Sequence, residues 1–324
     1  MDEFTSPQDG FTDVGGLIRA MRSSLEEYWA QAQGYQRFLY YLGALLLATA
    51  VFQTGVLLLT GGSLEGPVSW RKPIVFGEAF GLTAVAVAWV MTYLPKHRIR
   101  GWLLAGSLGL ASAGEVFLVS LQQWRGVPSH FNFSTPFDTA VFSTMGFLVV
   151  FTEIVIIVVA LWTFIALQAP RSLAWAIRFG MVLLVAGQVF GNLIIQNGIA
   201  KVIDFETGAF MPEAVATASV FGAAGSMKVP HALTLHGIEV LPLLAWLLAF
   251  THWSESRRTR IVTLATGGYT GLVVVSAFQT FSGLAPLDMT AIALIVLGVG
   301  AVVLIASYAA ALLGLQRTIA QPAT

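Results

Sequence analysis

The chain of 324 residues contains no cysteine. This excludes structural disulfides, Fe–S clusters, thiolate zinc sites and covalently attached haem. A metal ion would have to be held by His, Asp, Glu or backbone oxygen. Charge is scarce as well. Asp, Glu, Lys and Arg make up 10% of the residues, where a soluble chain carries about 25%. The 17 basic and 17 acidic side chains cancel, and no basic patch stands ready to neutralise a phosphate backbone, so nucleic acid is not an expected partner. There is no P-loop, no dinucleotide fingerprint and no G-x-S-x-G context, hence no nucleotide motif and no hydrolase elbow. The N-terminal MDEFTSPQDGFTDV is acidic and lacks the basic start of a secretory signal, so the first span is expected to direct its own insertion.

What the chain has instead is apolar length, with 56% hydrophobic residues. Stretches of ~20 apolar residues, enough to cross a bilayer, fall at 38–61, 73–94, 101–124, 137–168, 173–196, 231–252, 261–282 and 289–314. The expected fold is all-α, a polytopic bundle of eight transmembrane spans. Val14, Leu17, Met21, Leu25 and Tyr28 recur at helical steps, which predicts an amphipathic interfacial helix within 11–36. The organisation expected is a cytoplasmic leader at 1–37, the bundle at 38–316 and a short tail at 317–324. Lys and Arg give the orientation. With both termini inside, Arg19, Arg22, Arg37, Lys96, Arg98, Arg100, Arg171, Arg178, Arg257, Arg258, Arg260 and Arg317 lie inside, and Arg71, Lys72, Arg125, Lys201 and Lys228 outside. Basic residues concentrate on the cytoplasmic side, so the reading is N-in, C-in. The long outer connection 197–230 is expected to hold a short helix near 212–224.

Segment 228–253 (KVPHALTLHGIEVLPLLAWLLAFTHW) is the most informative. It is long and apolar enough to span, yet its first turns carry His231, His236 and Glu239. Ionisable groups within a span are costly and point to function. His236 and Glu239 share a helix face; His231 is about 140° away and joins them only if the helix is distorted. Glu78 lies roughly 8 Å below the outer end of span 2. Gln53, Glu115, Gln122, Gln188, Asn192, Gln196, Ser276 and Gln279 fall in outer halves too, and Glu153 is deeper. Inner halves are nearly all apolar. A polar chamber in the extracytoplasmic half is the expectation, although a lone Gln or Asn also serves to hold helices together. Pro73 precedes Ala88-Trp89 by the same interval at which Pro230 precedes Ala245-Trp246. This is either a parallel repeat of two four-span halves or coincidence.

Glu78, Glu115, His236 and Glu239 form a candidate catalytic and metal-ligand set, since carboxylate and imidazole suit a divalent metal. His231, His236 and His130 are the candidate cofactor ligands, with a b-type haem the other possibility. Arg71, Lys72 and Arg125 either anchor the chain at the interface or bind an anionic substrate or lipid head group. Gln188, Asn192 and Gln196 are candidate substrate contacts. The segments SWRKPIVFGEAFGLT (69–83), RGVPSHFNFSTPFDTAVFSTMG (125–146) and KVPHALTLHGIEVLPLLAWLL (228–248) resemble a family of uncharacterised bacterial multi-pass integral membrane proteins. The resemblance implies a bacterial inner-membrane protein and no particular reaction. Three functions are therefore open: a metal- or haem-dependent membrane enzyme or redox protein acting on a small or lipid-like substrate, a proton-coupled transporter, or an accessory or sensor subunit.

Overall fold

The computed structural model describes residues 13–320. Positions 1–12 of the expected leader and the last four residues of the expected tail lie outside the described residues. The fold is an all-α polytopic bundle, with eight helices long and apolar enough to cross a membrane. Helix α1, Val14–Gln31, starts where the Asp13 carboxylate accepts from Gly16 N–H at 2.5 Å. Of the predicted amphipathic stripe, Leu17 and Met21 pack on Phe250 and Leu315 and Tyr28 is buried, whereas Val14 and Leu25 are exposed. Ala32 is extended, and reciprocal capping between Gln33 and Gln36 opens span 1, helix α2, Gly34–Thr60. The next spans are α3 (Arg71–Val90, prolonged by a tight turn to Tyr93), α4 (Arg98–Trp124), α5 (Pro136–Ala166) and α6 (Arg171–Val202). Span 6 is two pieces, α7 (Lys228–Leu235) and α8 (Gly237–Ala249), followed by α9 (Glu255–Phe281) and α10 (Ala291–Ala320).

Helices run past the hydrocarbon-length segments, because backbone hydrogen bonding continues into the polar interface. The expected boundary at 37/38 thus falls within α2, and that at 316/317 within α10. Helix α6 likewise continues to Val202, so the connection after it shortens to 203–227. It contains the expected short helix as a single 3-10 element, Pro212–Thr217, followed by the hairpin β1 (Val220–Phe221) and β2 (Gly225–Ser226). The end of the bundle carrying α1 and the last turn of α10 is here called the terminal end, and the opposite one the distal end. The main core, with Leu39, Leu108, Ile156, Ile177, Leu184, Leu241 and Leu248, lies toward the terminal end.

The bundle is one four-span unit used twice in the same orientation. In the first half α2 packs on α3 and α4, α3 on α4, and α4 on α5. In the second, α6 packs on α7, α8 and α9, the two pieces of span 6 on α9, and α9 on α10. The halves meet through α5 with α6 and through α3 with α8. One interval separates Arg71 from Lys228, Arg98 from Glu255 and Trp124 from Phe281, so both ends of α4 and α9 and the starts of α3 and α7 correspond without a gap. A second common interval separates Gly34 from Arg171, the starts of α2 and α6. The close crossings obey the same two shifts. A Cβ on Gly43 would lie 2.8 Å from the Gly81 carbonyl oxygen, and one on Gly180, its counterpart, 2.8 Å from Ile238 Cα. A Cβ on Gly77 would lie 3.1 Å from that of Ala50, and one on Gly187 3.1 Å from Thr234 Oγ1. Trp89 meets Tyr93 edge-on at 5.8 Å, as Trp246 meets Phe250 at 5.0 Å. The Pro–Trp echo is therefore a true repeat, about an axis along the bundle.

Candidate functional site

Span 6 breaks at His236. Its backbone there (φ −81°, ψ 0°) ends α7 and opens α8. The break frees the Leu233 carbonyl, which would otherwise serve the helix; it accepts the Tyr269 hydroxyl from α9 at 2.6 Å. Pro242 inside α8 brings no N–H to the ladder, and Tyr308 of α10 donates to the nearby Val240 carbonyl at 2.7 Å. Non-helical backbone at membrane depth survives only when partnered in this way. Glu239 lies in the first turn of α8, where the free N–H groups favour a carboxylate. Its Oε2 is 3.3 Å from His236 Nδ1. Both carboxylate oxygens are buried and accept no hydrogen bond from the described residues, so the contact is an ion-pair distance without hydrogen-bond geometry. Glu78, in the second turn of α3, is exposed and near enough to act electrostatically on the His236 ring.

Below this pair, toward the terminal end, a cavity of about 570 Å³ opens between α3 and α8. Leu82, Val85 and Trp89 continue the helical face of Glu78, and Leu243 and Trp246 that of Glu239. Tyr40 of α2 and Leu25, Tyr28 and Trp29 of α1 complete the wall. Leu25, Trp29 and Leu243 are exposed, so the cavity opens sideways from the bundle. Apart from Glu239 the lining is apolar and rich in aromatic rings. The repeat interval pairs Leu82 with Glu239, Ala86 with Leu243 and Trp89 with Trp246 across the axis. A volume in the range of small-molecule sites, apolar walls and one converging polar group are what such a site requires.

The single polar chamber expected from depth is not assembled. Among the described residues no three His, Asp or Glu side chains are placed to hold one metal ion. Glu78, His236 and Glu239 are neighbours, but Glu115 is fully buried in α4 and accepts no hydrogen bond from the described residues. The other polar groups pair separately where they pair at all; Gln53 Oε1 and Gln279 Oε1 are buried without a hydrogen-bond partner among the described residues. His231 Nδ1 lies 2.8 Å from the Gly187 carbonyl oxygen, and Asn192 donates to Glu153 at 2.8 Å. Gln122 donates to Asp138 at 2.9 Å, while Gln279 serves the carbonyls of Ala285 and Asp288. Gln188 and Gln196, on α6, are not among the cavity-lining residues. Helix rotation explains the dispersal: equal depth leaves the direction of a side chain free, and these point to different neighbours.

Arg125 is not available as an anion ligand. Its Nη1 is 2.6 Å from Asp138 Oδ1, it also donates to Gln122, and its guanidinium covers the Phe137 ring at 4.6 Å. His130 belongs instead with Lys72 and Lys228, whose charges act on its ring. It packs edge-on against Phe76 at 5.2 Å and contacts Ser129 Oγ at 3.0 Å. Sequence reasoning missed the aromatic wall, Lys228 and Tyr269. The wall was legible as a continuation of the Glu78 and Glu239 helical faces, and Lys228 as the repeat partner of Arg71. Comparison with protein-family models, curated proteins and solved structures returned no match.

Proposed function

We propose that this chain is a proton-linked carrier for a small amphipathic molecule with an apolar body and a cationic or protonatable head, in a bacterial inner membrane with the terminal end in the cytoplasm. One observation carries the reading. A discontinuous span places a part-buried carboxylate–imidazole pair, with both Glu239 oxygens buried, at the head of an aromatic cavity, at the interface of two parallel repeats. Interrupted helices at mid-depth between repeats are the usual construction of a carrier site. The carboxylate lacks a hydrogen-bond partner among the described residues, and aromatic faces attract cations. A bound cation would partner Glu239, leaving the His236 proton to move. A carrier fits better than a metal- or haem-dependent enzyme because the donors the enzyme needs are dispersed over several helix pairs.

The test uses tetraphenylphosphonium with purified protein, read by quenching of tryptophan fluorescence, since Trp29, Trp89 and Trp246 line the cavity. Saturable quenching is expected, weakened about tenfold or more in Glu239→Gln, the loss expected for one desolvated charge contact. In proteoliposomes an imposed proton gradient should drive its accumulation, and Glu239→Gln should abolish it. Unchanged quenching and no accumulation would overturn the reading and leave the polar pair as helix-to-helix adhesive in an accessory subunit.

A further inference from the structure

The distal ends of spans 2 and 6 carry a second feature, separate from the cavity. Arg71 and Lys72 stand in the first turn of α3, and Lys228 in the first turn of α7, at the position that the repeat matches to Arg71. The three are close enough to repel one another: Arg71 acts on both lysines, and Lys228 acts on Lys72. Helix starts carry partial positive charge, so all three sit where cations are least favoured. None of the five ion pairs among the described residues includes any of them. Half-buried Lys72 has one donor fixed, on the Pro67 carbonyl at 2.7 Å, which holds its ammonium in place. Ser69, two residues before Arg71, is wholly buried, and its hydroxyl has no hydrogen-bond partner among the described residues. The cluster is made jointly by the two halves, and its chemistry lacks only a counter-ion.

We propose that Arg71, Lys72 and Lys228 form a binding site for a phosphate group, supplied either by a phospholipid head group or by a free phosphate species. Two lysines and an arginine at the adjoining starts of the matched spans 2 and 6 offer charge and several N–H donors, the donor set that recognises phosphate oxygens. The Arg71 side contributes a fork and the lysines point charges. The site is independent of the carrier reading, because the Glu239 cavity lies on the other side of the span 6 break.

The experiment measures thermal midpoints of the full chain in two settings. In lipid-free detergent, inorganic phosphate is titrated against chloride at constant ionic strength. In nanodiscs, phosphatidylglycerol, whose phosphate charge is uncompensated, is diluted into phosphatidylcholine, whose phosphate is compensated by its own choline cation, and compared with phosphatidylcholine alone. Saturable stabilisation by inorganic phosphate assigns a free species; stabilisation only in the phosphatidylglycerol discs assigns a lipid head group. In either case Arg71→Gln/Lys228→Gln should weaken the apparent affinity about tenfold or more, Lys228→Arg should keep it, and Arg19→Gln at the terminal end should leave it unchanged. Should the double variant not fold, Lys228→Gln against Lys228→Arg makes the same comparison. No stabilisation in either setting, or equal stabilisation of the glutamine variants, overturns the proposal.

Discussion

His130 shows what burial does to a single side chain in this molecule. Burial, helped by the charges of Lys72 and Lys228, pushes its pKa from 6.5 down to about 3. Between those values the folded ring is neutral while an unfolded chain takes up the proton. The unfolded state then binds more protons, so stability is lost as pH falls from about 6.5 toward 3. At pH 5 the loss approaches about 2 kcal/mol, from 1.36 kcal/mol per pH unit. Thermal midpoints measured from pH 7 to 4.5 should therefore fall more steeply for the native chain than for His130→Phe. Equal slopes would mean the ring is solvated and titrates normally. Residues of this kind were legible in the sequence as a set and illegible as partners. Glu115 and Glu239 have similar polar character and neither accepts a hydrogen bond from the described residues, yet one is fully buried on α4 and the other heads a cavity. Arg125 reads as a free cation until the fold brings Asp138 to it.

Among the elements, span 6 concentrates the unusual backbone. Apolar length revealed that a span exists here, and the off-face position of His231 hinted at distortion. The break itself was hidden, because Gly237 and Pro242 also occur in unbroken membrane helices. What fixes the break is tertiary: Gly180 lets α6 approach the backbone at Ile238, and Tyr269 takes the Leu233 carbonyl. Tyr269→Phe removes that donor without changing shape and leaves a buried carbonyl unmet, costing about 1–3 kcal/mol. The expected result is a lower thermal midpoint together with faster amide exchange confined to the turn around His236. If exchange there is unaltered, the break is held by packing alone. Gly180→Val tests the other support. Its side chain would press on the Ile238 backbone, where nothing flexible can yield, at a cost of about 1–3 kcal/mol or more. The equivalent Gly43→Val should be similarly harmful because the Gly81 carbonyl lies as close, whereas Gly55→Val, which meets nothing within 4 Å, should leave the midpoint unchanged. Equal tolerance at all three positions would contradict the close crossings on which the repeat rests.

For the whole molecule, the repeat turns two nearly apolar four-span units into a structure with one charged position at its axis. Leu82 and Glu239 occupy matched places, so the halves share a scaffold and differ in chemistry where they meet. Hydropathy made the eight spans readable, whereas the pairing of halves rested in the sequence on one proline and one tryptophan, since lipid-facing residues are free to vary. The gathering of basic residues at the terminal end is the ground for proposing that this end faces the cytoplasm. The absence of cysteine makes this directly measurable, since any single introduced thiol is the only one in the chain. Glu65→Cys and Glu206→Cys sit in exposed distal connections, Lys96→Cys in an exposed terminal connection and Ser256→Cys at an exposed position in the first turn of α9. In intact cells a membrane-impermeant maleimide should label the first two at once and the second two only after permeabilisation. The reverse pattern would turn the bundle over. The Arg71–Lys72–Lys228 cluster would then face the cytoplasm and α1 the exterior, and the carrier proposed above would have to load its cavity from outside.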